Sequence, residues 1–336
     1  MSVWPAVQDL GRYPLIGLGG GRAVGAAASQ GGSGIFVSDF MSGAAPAGMA
    51  ETCASTRYRF NTSGVLVPVA TDTTAFDYDP ATGLLRGALI ELQVTNLQTR
   101  STPGTTGWTS VNAPTVTLNA GVSPDGGTNA TQYAGTGVNQ GQFGPSPAVA
   151  SGTTYVQSLF LKNVSGASSI RTGSDNNPAG ASIVSNLVAA SITTNGGAVV
   201  ASGIIPCANG WYRLWWAFVA TGTTNSFVIY QNSAGNMTWQ AWGATEEQGS
   251  RPTSFIPTAG STATRQKNTQ SWASVPNGIY ARTVRMGTVS QAGTDYSDTV
   301  TVSGGAGYSH EWLTLPAAAQ AVFERHVQRV TLRRTA

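Results

Sequence analysis

This chain of 336 residues carries only 10% charged side chains, with 42 glycines and 41% hydrophobic residues, where cytoplasmic enzymes ordinarily carry about 25% charged residues. That length and hydrophobic content suffice to bury a core in two or three folding units, which excludes a disordered tail. The net charge of +3 is too small for the basic stripe of a nucleic-acid-binding or membrane-surface protein.

The first residues lack the basic start and continuous apolar run of a secretion signal. No stretch reaches the roughly 18 apolar residues of a membrane span. Synthesis and assembly in the cytoplasm, without membrane insertion, are therefore expected.

Residues 1–54 are rich in Gly, Ala and Ser, most of all in GLGGGRAVGAAASQGGSG at 17–34, a composition that cannot bury enough surface to fold alone. Its glycines miss the GxGxxG register, no GKS or GKT follows and no parallel βαβ unit surrounds it, which argues against nucleotide binding. An extended arm ordered against a partner protein is expected, with Trp4, Val7, Leu10, Tyr13, Ile35, Phe36 and Val37 as its anchors.

The segment TRYRFNTSGVLVPV at 56–69 reads as a hairpin. In FDYDPATGLL at 76–85 the chain runs extended, turns at Asp79, Pro80 and Gly83 and returns through Leu84 and Leu85, which is hairpin chemistry. Further strands are predicted at 115–118, 155–162, 183–188, 198–205, 212–219, 227–231 and 237–242. Short strands between Gly, Asn and Ser turns indicate a β-sandwich or jelly roll, and no central segment of comparable length has helical periodicity.

From residue 266 a polar linker leads to strands at 279–286 and 298–302, and then to a helix predicted over 316–330. Pro316 suits a first-turn position, and Ala319, Val322, Phe323, His326 and Val330 recur at spacings of three and four. Arg325, Arg329, Arg333 and Arg334 cluster toward its end as a solvated basic face, with contact to an acidic neighbour in the particle, an anionic glycan or a lipid phosphate as the alternative. The expected architecture is all-β: an extended arm (1–54), an antiparallel jelly-roll sandwich (55–265) and a small β unit ending in one α-helix (266–336).

Four segments together resemble one known family. The hairpin at 56–69, FDYDPATGLLRGALIELQVTNL at 76–97, NGWYR at 209–213 and WGATEEQGSRPTSFIPTAGSTATR at 242–265 resemble, in this order and spacing, the jelly-roll modules of bacteriophage head-spike, head-fibre and tail-fibre proteins, including those of phage-like gene transfer agents. The resemblance implies a virion protein, assembled in the host cytoplasm, that contacts other virion proteins at a capsid vertex, portal or tail. It further implies attachment to host envelope polysaccharide and a homo-oligomer, a trimer being common in such fibres. Low charge and many small residues also point to assembly. A purely structural spike-base or decoration role and a polysaccharide-degrading role are the alternatives, since a fold does not fix a function.

Catalytic groups are sparse. The two histidines, His310 and His326, both fall in the final segment and are expected to pack structurally, because a triad also needs a nucleophile and an orienting group. Asp77 and Asp79 belong to a turn, whereas Glu246 and Glu247 point in different directions along a strand, so neither pair suits glycoside hydrolysis. Glu91 is expected to pair with Arg213 or Arg265. Cys53 and Cys207 are too few and too far apart for a disulfide framework or a zinc site and are expected to be free thiols. Oxygen ligands such as Asp77, Asp79 and Asp175 would suit calcium, yet no DxDxDG loop exists. No catalytic residue, metal or cofactor is assigned.

Aromatic residues are the remaining resource. Alternation along a strand puts Trp211, Arg213 and Trp215 on one face and Tyr212, Leu214, Trp216 and Phe218 on the other. The second set reads as core. The first, with Trp239 and Trp242, is the candidate carbohydrate-binding platform, on which a sugar ring stacks while the guanidinium binds hydroxyls or carboxylates. An inter-strand or intersubunit aromatic cluster is the alternative use of the same residues.

Overall fold

Alternating apolar and polar side chains, punctuated by Gly and Asn turns, give antiparallel pairing throughout. The computed structural model describes residues 34–335 except 167–168, 175–179, 197, 288–292 and 322–324. Two six-stranded sheets form the centre. The first, here the inner sheet, runs in the order Val199–Pro206, Trp211–Val219, Thr154–Gly166, Met237–Gln248, Ala130–Gly135, Thr115–Gly121. The second, the outer sheet, runs Ser191–Asn195, Ala181–Asn186, Ser169–Ser174, Phe227–Gln231, Gly141–Phe143, Thr109–Val111.

Their facing sides make one apolar core. Leu159, Leu161, Leu214, Trp216, Phe218 and Trp239 come from the inner sheet, and Ile170, Ile183, Phe227 and Ile229 from the outer. Burying each such side chain stabilises the fold by about 1.5–3 kcal/mol. The expected all-β sandwich is therefore present, and each strand predicted between 115 and 242 overlaps an observed one.

A third six-stranded sheet, here the C-terminal sheet, gathers segments far apart in sequence. Its order is Thr294–Val302, Gly278–Met286, His326–Arg334, Leu85–Leu89, Phe76–Tyr78, with Ile35–Asp39 also pairing along His326–Arg334. The FDYDP hairpin thus belongs to this sheet, its turn held by Asp79, whose Oδ1 accepts from the Thr82 amide at 2.8 Å, while Gly83 takes a φ of +70° open to glycine. Met49–Thr52 pairs with Thr269–Trp272, and Arg57–Phe60 with Leu66–Val69. Hydrogen bonding consequently runs across the expected divisions at 54/55 and 265/266.

Of the arm, residues 1–33 lie outside the described residues. The described part is woven into sheets, with Phe36 edge-on to Trp272 at 5.8 Å.

The C-terminal helix is shorter than expected. The single α-helix among the described residues is Ala317–Gln320, and His326–Arg334 is a strand instead. In that strand Gln328, Val330 and Leu332 are buried while Arg329, Thr331 and Arg333 are not, a period of two. Pairing with Gly278–Met286, Leu85–Leu89 and Ile35–Asp39 overrides the helical spacing that the sequence also carries. Val322 and Phe323, expected on the helix face, lie outside the described residues.

Candidate functional site

The five platform candidates fall on both faces of the inner sheet and do not reach the surface, none being more than 8% exposed. This corrects the expectation of an exposed stacking platform. Trp239 lies in the core between the sheets, stacked on Tyr133 with centroids 5.2 Å apart. The alternation itself holds: Trp211, Arg213 and Trp215 point away from that core. Their face is covered, however, by a third layer.

In that layer Trp211 and Trp242 pack with Phe60, Leu66, Phe160 and Phe255, and the Trp211 Nε1 donates to the Val122 carbonyl at 3.1 Å. The Arg251 guanidinium lies 4.8 Å over the Trp215 ring. The inter-strand aromatic cluster is the arrangement observed.

Beneath this layer, charged residues from 56–69, 76–97, 209–213 and 242–265 meet in one seam. Asp77, from the FDYDP hairpin, accepts from the Phe60 amide at 2.7 Å and pairs with the His326 Nε2 at 2.8 Å. It therefore ties the 57–69 hairpin to the C-terminal strand rather than capping its own turn. Glu91 pairs with the Arg265 Nη1 at 3.2 Å and accepts from the Ser254 amide and hydroxyl at 2.9 and 2.8 Å. Burial pushes the Glu91 carboxyl up, but the Arg265 charge, the Ser254 amide, the Arg325 charge and the Ser254 hydroxyl together hold it below the usual carboxylate range. Of the two partners expected for Glu91, Arg265 is the one in contact.

Arg213 donates from Nε and Nη2 to the Ser158 hydroxyl at 3.3 and 3.0 Å and sits 5.6 Å from the Phe160 ring centroid. Burial lowers its pKa against the counteracting charge of Glu247. A second buried pair, Arg57 with Glu51 at 2.5 Å, anchors the 57–69 hairpin, and Asn268 donates to the same carboxylate at 2.8 Å.

Glu246 and Glu247 do diverge. Glu247 accepts from the Thr253 amide at 3.0 Å beside Arg265 and Arg213. Glu246 meets only neutral donors, Gln157 at 2.7 Å and Asn225 at 2.9 Å, and burial pushes its carboxyl up to about 7.

His310 sits between the Tyr308 hydroxyl and the Gln270 side-chain oxygen, both at 2.9 Å. Burial and the Arg282 charge lower its pKa to about 3, which keeps it neutral. Both cysteines are free and buried, and burial pushes the Cys207 thiol up to about 12. Among the described residues no cluster of three or more His, Cys, Asp or Glu side chains has metal-site geometry.

Sequence reasoning missed two elements. Arg325, read as part of a solvated basic face, has its Nη1 buried and lies 5.3 Å from the Trp312 ring; no local pattern announces this. The other is the place of Phe143 and Tyr230, aromatic residues expected beside the Trp211–Trp242 group, which instead lie on the outer sheet's far face. There Tyr230 lies edge-on to Phe143 at 5.6 Å and under the Arg171 guanidinium at 5.2 Å. Gly141 makes room for it, since a side chain there would meet the Tyr230 ring at 2.8 Å. Alternation in 227–231, placing Val228 and Tyr230 opposite Phe227 and Ile229, was the available signal.

Comparison with known protein families and with curated proteins finds no match for this chain.

Proposed function

We propose that the protein is a structural subunit on the surface of a phage-like particle, a head spike, head fibre or tail fibre, assembled as a homo-oligomer such as a trimer against other virion proteins. The observation that carries this reading is convergence. Four segments separated by up to about a hundred residues resemble one family in order and spacing, and their charged residues Arg59, Asp77, Glu91, Arg213 and Arg265 gather in a single seam. A resemblance confined to unrelated surface loops would have no reason to meet in space. The recurrent residues then specify a frame, which suits a scaffold displayed on a particle better than a catalytic cleft.

Exposed apolar side chains at the margins of the inner sheet, Leu118, Val122 and Val200, support burial against neighbouring subunits. Immunogold labelling of purified particles tests the proposal. Label on the particle surface is the expected result, and protein confined to the soluble fraction of producing cells contradicts it.

Attachment to host surface glycans is the second reading, favoured by the Phe143, Tyr230 and Arg171 cluster, in which Phe143 and Arg171 are half-buried. A partly exposed aromatic beside a guanidinium suits sugar stacking with polar contacts to hydroxyls. Each such ring contributes about 0.5–1.5 kcal/mol, so adhesion would rely on several copies. Retention of the intact protein on host envelope polysaccharide, without release of reducing ends, is the expected result; no retention leaves the structural role alone.

A further inference from the structure

The seam encloses a partly open cavity of about 80 Å³. Four guanidinium groups line it, from Arg59, Arg86, Arg213 and Arg325, against two carboxylates, Asp77 and Glu91. Both carboxylates are already engaged. Asp77 holds His326 and the Phe60 amide, and Glu91 holds Ser254 and Arg265, the last reaching in from outside the cavity wall. Arg86 is committed to Asp79 at 2.8 Å, and Arg59 donates to the Phe60 carbonyl at 3.3 Å and lies over the Tyr78 ring.

Arg213 and Arg325 remain, and neither forms an ion pair among the described residues. The Arg213 side chain hydrogen-bonds only the Ser158 hydroxyl, and the buried Arg325 Nη1 has no hydrogen-bond partner. Glu247 and Glu91 lie near enough to act on both charges, but a buried guanidinium nitrogen with no hydrogen-bond partner is costly, and the two guanidiniums repel each other. An anion between them removes both penalties, and the planar fork of arginine matches the oxygens of phosphate, sulfate or carboxylate.

We propose that this cavity is a binding site for one compact oxyanion group, held by Arg213 and Arg325. Because its walls come from the 57–69 hairpin, the inner sheet, the 252–255 loop and the start of the C-terminal strand, the bound anion clamps the sandwich to the C-terminal sheet. Free phosphate and the carboxylate of an acidic sugar present the same chemistry. The cavity admits the oxyanion group but is too small for a sugar ring, which would lie outside its mouth.

The test is calorimetric titration of the intact protein with inorganic phosphate and, separately, with glucuronate, at constant ionic strength set by sodium chloride, with glucose as the neutral control. Saturable one-to-one binding of either oxyanion and none of glucose is expected. Binding of phosphate alone identifies a free or esterified phosphate, and binding of glucuronate alone an acidic sugar. Arg325→Gln, which removes a charge-assisted contact, is expected to weaken binding roughly tenfold. Arg325→Lys, which keeps the charge and loses the fork, serves as the second variant should the first not fold. Absence of saturable binding by both oxyanions in the wild-type protein overturns the proposal, since the cavity then holds water only. Unchanged affinity in the Arg325 variants overturns it as well.

Discussion

Glu246 and Glu247 are neighbours in one strand, yet they belong to two different interiors. Glu246 meets the amides of Gln157 and Asn225 and no cation. Glu247 faces the seam, where burial raises its carboxyl and Arg265 and Arg213 offset part of that rise. The sandwich core is held by apolar contact, which is non-directional and tolerates exchange of one hydrophobic side chain for another of similar volume. The seam is held by paired charges, which add little net stability when complete but are expensive to break. One region supplies the stability of the fold, and the other fixes which segments meet.

The largest effect is expected from breaking the seam on one side only. Arg265→Ala leaves Glu91 buried without its cation and is expected to cost about 3 to 5 kcal/mol, read as a fall in the urea midpoint. Replacing both partners together, Arg265→Met with Glu91→Leu, is expected to restore much of that loss. Equal loss in the single and double variants would show that the pair is not the relevant unit.

Glu246 offers a way to perturb the other interior by pH. Its carboxyl is raised from 4.5 to about 7 in the folded chain, so between those values the native state keeps a proton that the unfolded state has released. Stability contributed at this site is therefore full below about pH 4.5 and declines as pH rises through about 7. The decline is on the order of 3 kcal/mol. Glu246→Gln is expected to abolish it, checked by urea midpoints at about pH 5 and about pH 8. A wild-type midpoint rising across that interval through this residue would contradict the assignment.

The sandwich was legible because period two needs only local information. Phe227–Gln231 was read with both bounds correct, and the alternation of Trp211 to Phe218 separated the two faces as observed. Alternation tells which side chains share a face, not what lies over that face. The layer burying Trp211 and Trp242 comes from Phe60, Leu66 and Phe255, more than a hundred residues away in the case of Phe60 and Leu66 for both tryptophans. The same limit explains the terminal helix. Ala319, His326 and Val330 satisfy a helical spacing, while Gln328, Val330 and Leu332 satisfy a strand, and only pairing with three distant strands decides between them. That Glu91 pairs with Arg213 or Arg265 was legible from the segments that carry the resemblance, and the fold selects Arg265; Arg325 was not legible, because nothing near it in sequence distinguishes it from Arg329 or Arg333.

The smallest expected effect lies on the outer sheet's far face. Phe143→Ala is expected to change stability by no more than about 1 kcal/mol, since the ring is half-buried and its partner Tyr230 keeps the Arg171 contact. It is expected to reduce retention on envelope polysaccharide. A loss of stability comparable with that of Arg265→Ala would make Phe143 part of the frame rather than of a contact surface.

The central claim is that the buried tryptophans and the seam charges build the frame and do not present a ligand platform. Urea denaturation of Trp211→Ala tests it most directly, with adsorption to host polysaccharide measured on the same preparation. Trp211 is buried and hydrogen-bonded to the Val122 carbonyl, so the account predicts a loss of about 3 to 5 kcal/mol and no change in adsorption per folded molecule. Wild-type stability with abolished adsorption would contradict it.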